Sequence, residues 1–227
     1  MDFREEIASQ INLCIGLYNI ESFIEAYIKD TPICENIICK NKGVIDKNRY
    51  VIELYRAAVG SDLAIDRITR TEYNECKAHY ELKDNKYADW YTGFIGKICT
   101  KNRRWFGSYN SSCDEEITLF KKEMNSLIGT EFICEDYMEF TGGPKKSVIY
   151  VKPPAGKLSE NYNICSSINS SSFWEHTREL SKKHIVFVHG TMCPVDFKEI
   201  ICDNDSNEKL FLHESLSGIY TVNDYDF

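Results

Sequence analysis

The sequence lacks the features that would place it in a membrane, outside the cell or around a metal ion. No apolar run approaches the roughly 20 residues that cross a bilayer, and the first six residues carry three acids where a signal peptide needs an apolar core. The ten cysteines contain no C-x-x-C pair, and the five histidines are dispersed. Such cysteines are typical of reduced, buried thiols. These absences predict a cytoplasmic protein with no membrane segment and no metal site.

Positive charge is also scarce. The chain has 27 Lys and Arg against 35 Asp and Glu, a formal net charge of -8. Because affinity for nucleic acid depends on clustered Lys and Arg, this balance excludes a general nucleic-acid coat. Any contact with nucleic acid would need a local basic patch. Phosphate-binding P-loops and nucleophile elbows are missing as well.

One basic and aromatic segment, Trp90–Asn110, is a candidate for such a patch. In it Trp105 directly follows Arg103 and Arg104, and Lys101 lies just before them. Aromatic rings can stack on unpaired bases while cations contact phosphates, so these four residues form a candidate nucleic-acid contact. The alternative is that the rings belong to the core and the charges to a solvated surface.

Helical and strand patterns alternate along the chain. Apolar residues between Asn48 and Val59 fall on one helical face, and the β-branched run Ile185–Val188 is typical of a buried strand. This alternation predicts an α/β fold with a central, mostly parallel sheet flanked by helices. Helices are also predicted over 5–17, 69–80, 114–127 and 172–182, and strands over 22–28, 36–39, 44–46 and 147–151.

The length favours a single domain over residues 1–227. Within it, residues 62–130 are expected to form a small aromatic and basic helical insertion. Residues 161–172, rich in Ser and Asn, resemble a mobile loop. The acidic tail 203–227 is predicted to form a hairpin or to remain poorly ordered.

Short motifs follow one another in a recognisable order. They are Trp105–Tyr109, Phe132–Tyr137, Ile149–Pro154, Phe173–Trp174 and Ser181–Val188. In order and approximate spacing they resemble the Dam-like class of adenine-amino DNA methyltransferases, which use S-adenosylmethionine. The resemblance covers about residues 21–201. It implies a Rossmann-like methyltransferase fold with a cosubstrate cleft at the carboxyl ends of the strands.

The resemblance also implies roles for two acids. Asp46, which follows Val44 and Ile45, aligns with the residue that binds the ribose hydroxyls of the methyl donor. Asp136 aligns with the acid that accepts a hydrogen bond from the donor's adenine amino group. The alternative for each is a solvated carboxylate at the end of a strand.

The chain differs from the family in three motifs that methyl transfer requires. Lys152-Pro153-Pro154-Ala155 replaces Asp-Pro-Pro-Tyr, so an ammonium that only donates hydrogen bonds stands where the family has an acceptor. The segment 25–30, which includes Tyr27, has no glycine where the family has its glycine-rich donor loop. The family's earlier Gly-Gly-Lys element has no counterpart.

These departures predict a pseudo-methyltransferase: a catalytically inactive protein, needing no cofactor, that binds a nucleotide, a nucleic-acid end such as an RNA cap, or a modified base. One alternative is a divergent enzyme that retains S-adenosylmethionine and methylates DNA or RNA. Another is a protein-interaction subunit of a viral complex, since the Asn-, Ile- and Lys-rich composition is typical of AT-rich genomes. The predicted cleft residues are Tyr27, Asp46, Asp136, Lys152, Pro153 and Pro154.

Overall fold

The computed structural model describes residues 2–28, 32–61, 63–143, 145–153 and 171–217, and it has the predicted α/β architecture. Its helices are α1 (Phe3–Leu17), α2 (Arg49–Ala58), α3 (Arg70–Leu82), α4 (Asp89–Lys97), α5 (Cys113–Ser126), α6 (Ser171–Ser181) and α7 (Glu214–Ser217), with 3-10 turns at Ile33–Asn36 and Lys101–Arg103. Its strands are β1 (Ser22–Ala26), β2 (Asn41–Asp46), β3 (Thr130–Cys134), β4 (Val148–Val151), β5 (Ile185–Gly190), β6 (Phe197–Cys202) and β7 (Lys209–His213).

The seven strands form one sheet in the order β3-β2-β1-β4-β5-β7-β6. The first five pair in parallel, whereas β7 is antiparallel to both of its neighbours. The 3-2-1-4-5 part is the order of a doubly wound, Rossmann-like fold, which reverses direction between β1 and β4. Such a switch point opens a crevice at the carboxyl ends of the two strands.

Helices cover both faces of the sheet, which explains why its central strands are continuous apolar runs. All four residues of β4 are buried. On one face Tyr150 of β4 and Phe187 of β5 pack in the same core as Ile7 and Ile11 of α1. On the other face, the side chains that alternate with these pack against Phe173 and the rest of α6. The crevice at the switch point therefore lies on the face of the sheet that α1 covers.

Helices α3, α4 and α5 lie between α2 and β3, inside the segment predicted as a helical insertion. Helix α3 begins with a capping box, since Thr69 accepts a hydrogen bond from the backbone N–H of Glu72 and the Glu72 side chain accepts one from the backbone N–H of Thr69. Helix α4 packs closely on α2 at Gly93, where a Cβ atom would lie 2.0 Å from the carbonyl oxygen of Tyr50. The close approach of α4 to α2 is therefore possible because residue 93 is a glycine.

The predicted strand over 36–39 is wrong. A 3-10 turn ends at Asn36, and the side chain of Asn12 satisfies the backbone that follows. Its Nδ2 donates to the carbonyl of Asn36 at 2.9 Å, and its Oδ1 accepts from the N–H of Ile38 at 2.8 Å. Because these polar groups have a side-chain partner, they need no neighbouring strand.

The described part of the acidic tail, residues 203–217, supplies the turn and the second strand of the β6–β7 hairpin and then the short helix α7. The remainder of the tail and nearly all of the loop predicted at 161–172 lie outside the described residues. Among the described helices, none has both the length and the apolar character that a membrane crossing requires.

Candidate functional site

A cavity of about 360 Å³ lies at the switch point, beneath the N-terminus of α1. Strands β1, β4 and β5 contribute Glu25, Tyr150 and His189 to its wall, and the β6–β7 turn contributes Glu208. Its volume is in the range of roughly 300–1,000 Å³ that is typical of small-molecule sites. The wall is completed by Asp2, Phe3, Arg4, Ile7, Tyr27, Ile33, Lys152, Asp203 and Ser206.

A chain of hydrogen bonds runs along one side of this cavity. The hydroxyl of Tyr150 lies 2.6 Å from Nδ1 of His189, and Nε2 of His189 lies 3.1 Å from Oε2 of Glu208. Nζ of Lys152 donates to the same oxygen of Glu208 at 3.1 Å. Strand register brings the group together, because Tyr150 is the partner of Phe187, two residues before His189. Residues two apart on a strand share a face.

The charge state of Glu208 fixes the position of one proton in this chain. The hydrogen bond from His189 lowers the pKa of Glu208 to about 2 despite burial, and the charge of Lys152 contributes. An ionised carboxylate only accepts hydrogen bonds, so Nε2 of His189 carries a proton. In a neutral imidazole Nδ1 is then an acceptor, and the Tyr150 hydroxyl donates to it. The arrangement resembles the oriented base of a nucleophile–base–acid triad.

Glu25 has the opposite environment on another wall of the cavity. Its side chain is buried, and Oε2 accepts a hydrogen bond from the N–H of Cys34 at 3.0 Å. Burial raises the pKa of Glu25 to about 7, while the backbone hydrogen bonds of Ile33 and Cys34 and the charge of Arg4 act against that rise. The cavity thus holds one carboxyl that exchanges its proton near neutrality and one that stays ionised.

Tyr27 occupies the predicted donor site in an unusual conformation. Its φ of 66° lies in the left-handed region that favours glycine. The side chain is buried, lines the cavity and packs against Tyr137, with ring centroids 5.7 Å apart. The backbone therefore keeps the shape of a glycine turn, while an aromatic ring fills space that a glycine would leave open.

Asp46 does not face the cavity. It is 3% exposed; its Oδ2 accepts from the N–H of Ile28 at 3.0 Å, and its Oδ1 accepts from the N–H of Asn48 at 2.8 Å. Burial raises the pKa of Asp46, and these backbone hydrogen bonds oppose the rise. Both carboxylate oxygens thus hold the chain that follows β1 and β2. Asp46 is absent from the described wall of the cavity, so its contact with a ribose stays a prediction.

Asp136 also forms a hydrogen bond that stabilises the backbone of a turn. Its Oδ1 accepts from the N–H of Met138 at 3.0 Å, and its Oδ2 lies 3.3 Å from Nζ of Lys47. It is absent from the wall of the cavity. Of the predicted cleft residues, the cavity brings together Tyr27 and Lys152 but neither acid. Pro153 is buried beside Lys152, and Pro154 lies outside the described residues.

Two of the four residues in the predicted nucleic-acid contact are internal. Trp105 is only 7% exposed and stacks on Tyr50, with ring centroids 5.9 Å apart. Arg103 forms a bidentate pair with Glu123 at 2.8 and 3.0 Å. Because a ring in the core cannot stack on a base, Trp105 fits the alternative that the rings belong to the core. Arg103 differs from both predictions, because its largely buried guanidinium is bound to Glu123 and lies neither on a solvated surface nor in position to contact a phosphate. The other two members of the predicted contact, Lys101 and Arg104, are exposed.

The sequence analysis does not identify most of the polar residues that line the cavity. Glu25 could have been found from the sequence, because it is a carboxyl in an otherwise apolar strand. Burying such a group without hydrogen-bond partners costs free energy, so its presence there indicates a specific role. His189 stands at the end of an apolar strand, where a lone histidine is more often structural than functional. Nothing in the sequence connects Glu208 to Lys152, since the β6–β7 hairpin alone brings them together.

Two comparisons with known sequences found no match. The chain matches no protein-family model, and no curated protein sequence matches it. The fold is therefore assigned from the sheet itself as α/β and Rossmann-like, with a mostly parallel seven-stranded sheet flanked by helices.

Proposed function

We propose that this protein binds a nucleoside, a nucleotide or a nucleic-acid end in the switch-point cavity and does not transfer methyl groups. The observation that carries this proposal is the pairing of Lys152 with Glu208 at the position where the resemblance expects a hydrogen-bond acceptor. Methyl transfer depends on the orientation of the target nitrogen and on complementary charge. The ammonium of Lys152 only donates hydrogen bonds, so it cannot accept one from the target amino group as the family's acceptor does.

The Tyr27 ring supports the same conclusion. A glycine turn lets a ligand approach the backbone closely, and a buried aromatic side chain at this position prevents such an approach. Asp46, the acid expected to bind the donor's ribose, is buried and is not among the described residues of the cavity wall, which also supports the proposal.

The lining of the cavity suggests which part of the ligand is recognised. Phe3, Tyr27 and Tyr150 present aromatic rings, and Phe3 packs edge-on against His189 at 5.6 Å between centroids. The two cations have acidic partners, Glu208 for Lys152 and, at 2.9 Å, Glu35 for Arg4. We therefore expect the flat base and its sugar to occupy the cavity and any phosphate to lie toward solvent.

Isothermal titration calorimetry tests the proposal. Nucleosides, nucleotides, cap analogues, short oligonucleotides and S-adenosylmethionine would each be titrated into the protein. Lys152→Met should weaken nucleoside binding about tenfold or more, because it leaves Glu208 without a charge partner. Lys182→Met is the matched control, since Lys182 forms a surface ion pair with Glu179, three residues before it, away from the cavity wall. Absence of binding for every compound would discard the proposal.

A second candidate, a divergent methyltransferase, is favoured by one observation. Glu208 brings a carboxylate to the cavity beside Lys152, and a carboxylate can accept a hydrogen bond from an amino group. Transfer of a radiolabelled methyl group from S-adenosylmethionine to unmodified DNA or RNA would establish this activity and replace the first proposal. No transfer to either substrate would remove it.

A further inference from the structure

The hydrogen-bonded chain and the buried carboxyl together form an acid–base site that simple ligand binding does not need. Tyr150, His189 and Glu208 have the connectivity in which a third group orients a base and the base contacts a reactive hydroxyl. Glu25 is the register partner of Tyr150 on the adjacent strand, so the two side chains leave the same face of the sheet. Both line the same cavity.

The charge of the cavity wall selects the kind of reaction. Among the described residues of the wall, the carboxyl groups of Asp2, Glu25, Asp203 and Glu208 outnumber the two cations, Arg4 and Lys152. Acyl and phosphoryl transfer build negative charge in the transition state and need donors or cations around it. Hydrolysis of a glycosidic bond builds positive, oxocarbenium-like charge and is catalysed by paired carboxyl groups. The excess of carboxyl groups in this wall is therefore better suited to hydrolysis of a glycosidic bond.

We propose that this cavity hydrolyses the bond between a nucleobase and its sugar, with Glu25 as the general acid and Tyr150 as the group that accepts a proton from water. The proposal rests on the proposed function, because it takes the nucleoside as the ligand. His189 and Glu208 are positioning residues that hold the Tyr150 hydroxyl and receive its proton. The protonation equilibrium of Glu25 near neutrality and the permanent ionisation of Glu208 suit these roles.

The reaction balances without an oxidant or a reductant. The bond from the anomeric carbon to the base nitrogen breaks, its electron pair goes to the nitrogen, and the nitrogen takes the proton of Glu25. A water oxygen bonds to the anomeric carbon. One water proton passes to the oxygen of Tyr150 as the Tyr150 proton moves to Nδ1 of His189. The proton on His189 then returns to Glu25 through solvent, which leaves a free sugar, a free base and the original site.

Incubation of the protein with the common ribonucleosides and 2′-deoxyribonucleosides, followed by chromatographic detection of free base, tests this proposal. Glu25→Gln and Tyr150→Phe should each lower the rate of base release about 100-fold or more, as expected for the loss of a general acid or base. Tyr73→Phe is the matched control. It removes another buried hydroxyl, bonded to the carbonyl of Gly107 at 2.7 Å, and should retain the wild-type rate.

The pH profile separates catalysis from a structural role. The wild-type rate should fall as pH rises through about 7, where Glu25 loses its proton, and residual activity of Glu25→Gln should lack this limb. Each variant is first checked for a circular dichroism spectrum like that of the wild type. If Tyr150→Phe does not fold, His189→Gln tests the same proton transfer from Tyr150 to His189. The described groups that face Glu25 or share its cavity are Arg4 of α1, Asp2 just before α1, Cys34 from the 3-10 turn, Tyr150, Lys152, His189, Asp203 and Glu208.

The outcomes distinguish the two proposals. Nucleosides that bind by calorimetry but release no base would overturn the hydrolysis and leave the binding proposal in place. Base release that persists in folded Glu25→Gln and Tyr150→Phe would overturn the assigned roles. If no nucleoside, nucleotide or oligonucleotide binds and no base is released, the proposed function fails as well.

Discussion

Glu25 of β1 and Tyr150 of β4 are register partners on the two strands that flank the switch point. Between them they place a buried carboxyl and a buried hydroxyl at the wall of one cavity. A Rossmann-like sheet brings such groups together because its parallel strands all end at one edge. The polar wall therefore follows from strand register, although its members are far apart in the sequence.

Replacement of Glu25 by Gln should change the dependence of stability on pH. The pKa of Glu25 is raised in the folded protein, so the unfolded chain releases this proton at lower pH than the folded chain. Wild-type stability should consequently fall from about pH 4.5 to about pH 7 and level off above that range, by up to roughly 3 kcal/mol. Glu25→Gln removes this loss, so its stability relative to wild type should increase over the same interval.

Urea unfolding of both proteins at several pH values measures the difference. A constant difference between pH 4.5 and pH 7.5 would contradict the burial of an ionisable Glu25.

At Tyr27 two effects oppose each other. Glycine would relieve a left-handed strain of about 1–2 kcal/mol, while loss of a buried aromatic ring costs about 3–5 kcal/mol. Ring burial is the larger, so Tyr27→Gly should be less stable than wild type. Tyr27→Ala loses the ring and keeps the strain, and should be less stable than Tyr27→Gly by about 1 kcal/mol. Chemical denaturation that ranks Ala above Gly would contradict the left-handed φ.

Gly93 should be intolerant of a side chain. Alanine there would place its Cβ 2.0 Å from the Tyr50 carbonyl oxygen and push α4 away from α2. We expect Gly93→Ala to destabilise the protein by about 2–4 kcal/mol, as a buried contact that cannot relax. Gly16→Ala on α1 is the matched control, because no heavy atom lies within 4 Å of the position that its Cβ would take. Thermal unfolding should show a drop in Tm for Gly93→Ala alone.

The two adjacent arginines of the basic segment should behave differently. Arg103→Met breaks a partly buried bidentate pair and leaves Glu123 without it, which should cost about 1–3 kcal/mol. Arg104→Met changes an exposed side chain and should have little effect on stability. Urea unfolding of both variants measures the contrast. Equal stability of the two variants would argue against the internal role of Arg103.

The sequence alone determined the architecture. The helical face between Asn48 and Val59, the Thr69–Glu72 capping box and the apolar run of β5 each reflect local patterns that need no knowledge of the rest of the chain. Hydrophobic periodicity and capping act over a few residues, so they are legible in the sequence. The 36–39 prediction failed because a distant side chain, that of Asn12, satisfied the backbone instead of a strand.

The tertiary structure decided the site. The sequence shows a cation, Lys152, at a position where an acceptor is expected, but its partner Glu208 is 56 residues away and reaches it only through the β6–β7 hairpin. Asp46 and Trp105 have suitable chemistry in the sequence, yet packing directs one to the backbone and the other to the core. Residue type fixes which hydrogen bonds a group can form, whereas long-range register and burial select the ones that it does form.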